Sequence, residues 1–262
     1  MVALITGGSS GIGEAFADVF AAEGFDLVIT ARREERLRAV QARLQDRFGV
    51  RVEVIVEDLE RPDAPARLVA ELEARGLKID VLVNNAGYGV PGSLLSKSWD
   101  VHARFVQIMV TACVELTYRL LPGMVERRYG RIINVASLAG LVPAPAGHTL
   151  YGAAKAFLIK FSESLGHEHR RDGVFVTALC PGFTHSEFHD VTGTRSMMSR
   201  MPRWMWMTAA DVARQGYDAV MADRPLLVTG RVNSTIATLV RVLPQRLVIA
   251  VGRRIGREYR KA

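Results

Sequence analysis

A tyrosine and a lysine four residues apart, in Tyr151-Gly-Ala-Ala-Lys155, follow Ser137 by fourteen positions. On a helix, residues four apart share a face, so the Lys155 charge sits beside the Tyr151 ring and favours its ionised form. A free phenol titrates near pH ~10, so bringing it to working pH needs a shift of roughly 2–3 units, about 3–4 kcal/mol of differential stabilisation. A neighbouring ammonium supplies part of that. Ser137 adds a hydroxyl that can hydrogen-bond an oxygen on which charge develops. Single serines and tyrosines are usually structural, but this trio is suited to moving protons, and Ser137, Tyr151 and Lys155 are the candidate catalytic residues.

The same chain starts with Thr6-Gly-Gly-Ser-Ser-Gly-Ile-Gly13. Gly7, Gly11 and Gly13, with Ser9, Ser10 and Ile12 between them, follow the first apolar run and open the first helix. There the missing side chains let backbone approach a pyrophosphate, and the helix N-terminus favours its charge. The spacing G-x-x-x-G-x-G differs from G-x-G-x-x-G, and alone it also fits a tight strand-to-helix turn without ligand. Asn84-Asn-Ala-Gly87 after the fourth strand and the Tyr151/Lys155 pair together favour the nucleotide site. An oxidised nicotinamide, itself cationic, would add to the stabilisation of a Tyr151 phenolate. Just after the second strand, where a carboxylate would accept from ribose hydroxyls, the chain has Thr30-Ala-Arg-Arg33. Arg32 and Arg33 suit a 2′-phosphate, so NADP is the expected cofactor. Two solvated arginines at a helix start are the competing reading.

Short β-branched runs alternate with segments of 3.6-residue period, the βαβ pattern of a parallel sheet covered on both faces. The pattern predicts strands near 2–6, 25–30, 51–56, 79–84, 130–136, 174–179 and 226–229. Helices are expected near 11–23, 34–48, 63–75, 98–127, 151–171 and 209–222. The fold class is therefore α/β, a Rossmann-type doubly wound parallel sheet of about seven strands. Breaks at Pro143-Ala-Pro-Ala-Gly147 and Pro181-Gly182 fall after strands, at the carboxyl edge where α/β ligand sites form.

At 262 residues and 49% hydrophobic, the chain can bury one large core. Residues 1–230 read as one dinucleotide-binding and catalytic domain, and 231–262 as a basic amphipathic extension. Met1 leads directly into the first strand, so no export signal is expected. Cys113 and Cys180 lack metal-ligand spacing and read as buried reduced thiols, which fits a cytoplasmic location. The formal net charge of +7 resides in Arg231, Arg241, Arg246, Arg253, Arg254, Arg257, Arg260 and Lys261 against Glu258 alone. The basic balance therefore describes a tail and a local acidic partner more than a nucleic-acid-binding fold. His185 and His189, four apart in a loop, lack a third ligand, and no metal is needed.

In order and content, these motifs resemble the short-chain dehydrogenase/reductase family over about residues 2–230. The matching pieces are Thr6 to Gly13, Asp58-Leu59, Asn84 to Gly87, Asn134-Val-Ala-Ser137, Tyr151 to Lys155 and Pro181-Gly182. The resemblance implies that Asp58 holds the adenine edge with Leu59 packed near the ring, and that Asn85, Ala86 and Gly87 line the cofactor cleft. It also implies that Tyr151 and Lys155 contact the cofactor, with Lys155 on the nicotinamide ribose. Pro181, Gly182 and Thr184 would border the nicotinamide, and Ser186 stands where the family often has threonine. The implied reaction moves a hydride between nicotinamide and a carbonyl carbon while Tyr151 exchanges the proton, and the implied assembly is a homodimer or homotetramer built through the long helices.

One position departs from the family. The asparagine usual seven residues before a Leu-Thr pair, which holds a proton-relay water, is Met109 here, and no asparagine lies between Asn85 and Asn134. A thioether is a poor acceptor and no donor. Backbone carbonyls can still hold a water, while Gln107 lies on another helix face. Beside the oxidoreductase reading stands a low-activity nucleotide-binding scaffold or redox sensor.

Five of the nine methionines and two of the three tryptophans fall between Met197 and Met207. This segment suits either a mobile lid over a bulky apolar or lipid-like substrate, where the family places its substrate loop, or a packed contact. Ile236, Leu239, Val240 and Leu243 share a helical face, and Leu247, Val248, Val251 and Ile255 continue the apolar pattern after Pro244. Arg241, Pro244 and Arg246 argue against a span. An amphipathic segment lying on an anionic membrane surface and one docking on its own domain both fit.

Overall fold

In the computed structural model, residues 1–144, 146, 147, 149–185, 187, 202–243 and 246 of the protein are described. Ser186, His189, most of the methionine-rich segment and the tail from residue 247 lie outside them. The chain runs β1 (Val2–Thr6), α1 (Gly11–Ala22), β2 (Asp26–Ala31), α2 (Glu34–Phe48), β3 (Val52–Val56), α3 (Ala64–Ala74) and β4 (Val81–Asn84). Then α4 (Trp99–Val106) passes through a π turn (Gln107–Thr111) into α5 (Ala112–Glu126), followed by β5 (Gly130–Val135), α6 (Thr149–His169) and β6 (Val174–Cys180). Two short strands, β7 (Thr184–His185) and β8 (Met207–Thr208), precede α7 (Ala209–Met221), β9 (Leu226–Val228) and α8 (Arg231–Val242). Each expected strand and helix is present, with ends displaced by one or two residues.

Seven strands form one parallel sheet in the order β3-β2-β1-β4-β5-β6-β9. β1 lies between β2 and β4, so the winding reverses there and opens a crevice at the carboxyl ends of both strands. Alternation along each strand divides the core in two. Ala3, Ile5, Leu27 and Ile29 meet Phe16 and Phe20 of α1, Leu37 and Val40 of α2, and Val212 of α7. Leu4, Val28 and Leu82, one position out of step, meet Leu68 and Leu72 of α3, Phe105 of α4 and Leu116 of α5. This two-sided burial is why the strands read as continuous apolar runs.

Close packing at the first face depends on one small residue. A Cβ at Gly216 of α7 would lie 2.8 Å from Phe16 and 2.9 Å from Leu179, so only glycine lets α7 settle against α1 and β6. The described end of the methionine-rich segment is packed on its own chain: the Trp206 ring stacks on His185 at 4.7 Å and lies 5.6 Å from Phe183. α8 begins inside the fold, with Asn233 and Ala237 buried, and ends with Leu239, Val242 and Leu243 exposed beside Arg241.

Phe20 is fully buried and meets Phe25 and Tyr217 edge-on, each at 5.2 Å. Phe20→Ala is expected to cost about 3–5 kcal/mol and to lower Tm by roughly 10 °C, measured by thermal unfolding. A Tm within two degrees or so of the parent would contradict this packing.

Candidate active site

The crevice is held together at its base by a hydroxyl. Thr6 Oγ1, at the end of β1, donates to the Val83 carbonyl of β4 at 3.1 Å and accepts from the amides of Asn85 and Ala86 at 2.9 and 3.0 Å. The Asn85 side chain returns the contact, donating to the Thr6 carbonyl at 2.9 Å. Gly7 turns there with φ +69°, a conformation that glycine adopts without strain. Gly13 is needed for closeness, since its Cβ would lie 2.2 Å from the Gly7 carbonyl oxygen. Ser9, Ser10 and Gly11 line a cavity of about 520 Å³ together with Arg36, His185 and Glu187, and Ile12 is the second residue of α1.

The arginines divide. Arg32 turns to Glu60, at 2.8 Å. Arg33 reaches back over the glycine loop and donates to Ser10 Oγ at 2.9 Å and Ser9 Oγ at 3.3 Å. Arg36, one helical turn further along α2, joins it at the carboxylate of Glu187. Asp58 Oδ1 accepts from the Glu60 amide at 3.1 Å, and Leu59 is buried in the core beside α3.

Across the crevice, β5 leads to Ser137 and α6 carries Tyr151 and Lys155, the candidate proton-transfer residues. Lys155 Nζ donates to the Val135 carbonyl, two residues before Ser137, at 2.7 Å, and lies 5.7 Å from the Tyr151 ring centroid. Ser137 Oγ accepts from the Ala139 amide at 3.1 Å, which leaves its hydrogen to donate. A 3-10 turn (Leu138–Gly140) carries Ser137 against α6. A Cβ on Gly140 would lie 2.7 Å from the Lys155 backbone, and one on Gly152 would lie 3.3 Å from the Ala139 carbonyl oxygen. Two glycines thus bring the Ser137 turn and the Tyr151 helix into contact. Beneath them Asn84 donates to Asn134 at 2.8 Å and Asn134 to Ser162 at 2.8 Å, a buried polar chain tying β4 and β5 to α6.

Pro181, whose carbonyl accepts from the Leu138 amide at 2.9 Å, continues from β6. Thr184 is buried and donates to the Gly182 carbonyl at 3.2 Å. Gly182 rests on Asn233 of α8, where a Cβ would lie 2.4 Å from the amide nitrogen. Met109 sits within the π turn, buried, and a Cβ on Gly87 would lie 2.4 Å from its sulfur. The thioether therefore fills the space beside the Asn-Asn-Ala-Gly turn. Arg36, Glu187 and Asn233 were not foreseen. Arg36 could have been found from its three-residue spacing to Arg33; Glu187 and Asn233 reach the site only through tertiary contact.

Burial lowers the Lys155 pKa from its ordinary 10.5 to about 8, although the nearby Cys113 and Cys180 favour its charge. The same burial pushes Cys113 up to about 11 and Cys180 up to about 12, from 9.0. Between pH 8 and 9 the unfolded lysine binds more proton than the folded one, so stability rises with pH; above 9 the unfolded thiols ionise first and oppose it. Thermal unfolding is expected to show stability increasing from pH 8 to 9. Lys155→Met should abolish that rise, and Cys113→Ala with Cys180→Ala should extend it upward. A rise that persists in Lys155→Met would assign it to another group.

Over residues 1–195 the chain matches the short chain dehydrogenase family. It is 36% identical over 198 residues to the very-long-chain 3-oxoacyl-CoA reductase of Anas platyrhynchos, across 72% of this chain and 62% of that protein. The chain thus spans about three fifths of the length of the very-long-chain reductases that it matches. It is 38% identical over 216 residues to the sulfoacetaldehyde reductase of Chromohalobacter salexigens, across 80% of this chain and 84% of that protein. Among solved structures, the short-chain dehydrogenase from Sphingobium yanoikuyae in complex with NADPH superposes with a TM-score of 0.81 at 30% identity, over 93% of this chain and 96% of that one. With its glycine loop, its parallel sheet and its Tyr151/Lys155 helix, the chain belongs to the short-chain dehydrogenase/reductase family of oxidoreductases.

Proposed function

We propose that the protein is an NADP(H)-dependent oxidoreductase interconverting a carbonyl and an alcohol on a bulky apolar or lipid-like substrate. The observation that carries this reading is the buried Lys155, fixed to the Val135 carbonyl at 2.7 Å with its charge 5.7 Å from the Tyr151 ring centroid. An ammonium there favours the phenolate, which makes Tyr151 a proton donor and acceptor at working pH. In the reducing direction Tyr151 gives its proton to the substrate oxygen, and Ser137 donates a hydrogen bond to that oxygen as charge develops on it. A bound nicotinamide supplies the hydride.

The cofactor fits the residues present. The glycine loop presents backbone where Cβ atoms at Gly7 and Gly13 would collide with neighbours, and Arg33 and Arg36 converge on a carboxylate beside Ser9 and Ser10. An arginine pair that already holds one oxyanion suits a 2′-phosphate. Asn85, Ala86 and Gly87 would line the cleft, with Asp58 and Leu59 toward the adenine and Pro181, Gly182 and Thr184 toward the nicotinamide. The name of the very-long-chain reductase favours a lipid-like substrate.

A second reading, a nucleotide-binding scaffold or redox sensor of low turnover, rests on Met109, whose sulfur fills the space beside Gly87. NADPH consumption with a panel of ketones, aldehydes and 3-oxoacyl compounds separates the two: turnover supports the enzyme, and NADPH binding without turnover across the panel supports the scaffold. On an active substrate, kcat/KM should favour NADPH over NADH, and a preference for NADH would overturn the cofactor assignment. Tyr151→Phe is expected to lower kcat by about 10²–10⁴-fold while keeping NADPH affinity. Near-normal turnover would remove Tyr151 from the proton transfer.

A further inference from the structure

Arg33 caps α2 and Arg36 lies in its first turn, three residues apart on one face. Both guanidinium groups point at a single anion supplied from far along the chain. Arg33 Nη1 donates to Glu187 Oε2 at 3.0 Å, and Arg36 Nη1 donates to Glu187 Oε1. The second Arg33 nitrogen holds Ser9 and Ser10 of the glycine loop, so the carboxylate sits at the rim of the nucleotide cavity, which Glu187 itself lines. Each of its two oxygens meets one arginine. Glu14 lines the same cavity, but its carboxylate pairs with Arg43 at 2.9 Å and is not aimed at the fork.

A carboxylate and a phosphate monoester present the same recognition chemistry to guanidinium groups, two anionic oxygens accepting parallel N–H bonds. We propose that Glu187 is a cofactor-specificity residue: its carboxylate occupies the arginine fork that takes the 2′-phosphate, and NADP(H) binds by replacing it. The proposal rests on the assignment of that fork to the 2′-phosphate. A dinucleotide without the phosphate has nothing to exchange and leaves the Glu187 pairs in place. Glu187 therefore weakens binding of the phosphorylated cofactor alone and sets how large the preference for it becomes. The bond to Arg36, then that to Arg33, hold the Glu187 carboxyl below the usual carboxylate range, so it remains an anion throughout the working pH range. The Glu187 side chain is 39% exposed, so the competing pairs are weak enough for a dianion to displace.

The test is a calorimetric titration of the full chain with adenosine 2′,5′-bisphosphate and, separately, with 5′-AMP. In the parent the bisphosphate should bind more tightly than 5′-AMP. Glu187→Gln should tighten the bisphosphate by about two- to tenfold and leave 5′-AMP unchanged, whereas Arg36→Gln should weaken the bisphosphate alone. Bisphosphate binding that is unchanged or weaker in Glu187→Gln, with the parent Tm retained, overturns the exchange. If the parent binds both ligands equally, the assignment of the fork to the 2′-phosphate fails instead. If Glu187→Gln lowers Tm, the same comparison is made with Glu187→Ala, and equal tightening of both ligands there overturns the exchange as well.

Discussion

The Thr6 hydroxyl uses its full capacity in one place, giving one hydrogen bond to Val83 and accepting two from Asn85 and Ala86. It does so where β1 ends beside β4, the point at which the order of the sheet reverses. At such a point two adjacent strands send their chains to opposite faces, and the ladder alone leaves the departing amides unpaired. The hydroxyl supplies the missing acceptor for two of them. With the Asn85 amide bonded back to the Thr6 carbonyl, the glycine loop and the Asn-Asn-Ala-Gly turn become one rigid floor. Every other part of the crevice is built from that floor.

The opposite wall is organised around a charge taken out of water. Lys155 is nearly inaccessible, and among the described residues it donates to one carbonyl, Val135, at the end of the strand that delivers Ser137. Desolvation wins over the nearby thiols, which is why the ammonium is easier to neutralise than an exposed one. A charge so placed has few ways to rearrange, and it stays between the end of β5 and the Tyr151 ring. The glycines at 140 and 152 permit the approach, and the Asn84, Asn134 and Ser162 chain holds the strands and helix in register below it.

The architecture was legible because parallel strands covered on both sides are written as unbroken apolar runs, and the helices between them carry a stripe of Leu or Phe. The glycine loop and the Tyr151/Lys155 pair were legible for a similar reason: their spacing lies within single elements. What joins distant elements was not. Arg33 and Arg36 share a helix turn, but nothing near them in sequence announces Glu187, 154 and 151 residues away. The division between a domain ending at 230 and an extension after it followed charge, and charge says nothing of Asn233, which packs under Gly182. Counting located Met109 but could not tell which neighbour its sulfur would touch.

That neighbour is Gly87, and the contact reads in both directions. The sulfur lies 2.4 Å from where a Cβ of residue 87 would be, too close for both, so positions 87 and 109 compete for the same room. Neither can enlarge unless the other shrinks. While position 109 holds a methionine, any side chain at 87 must displace its thioether, so the methionine and the glycine of the turn form one packing unit.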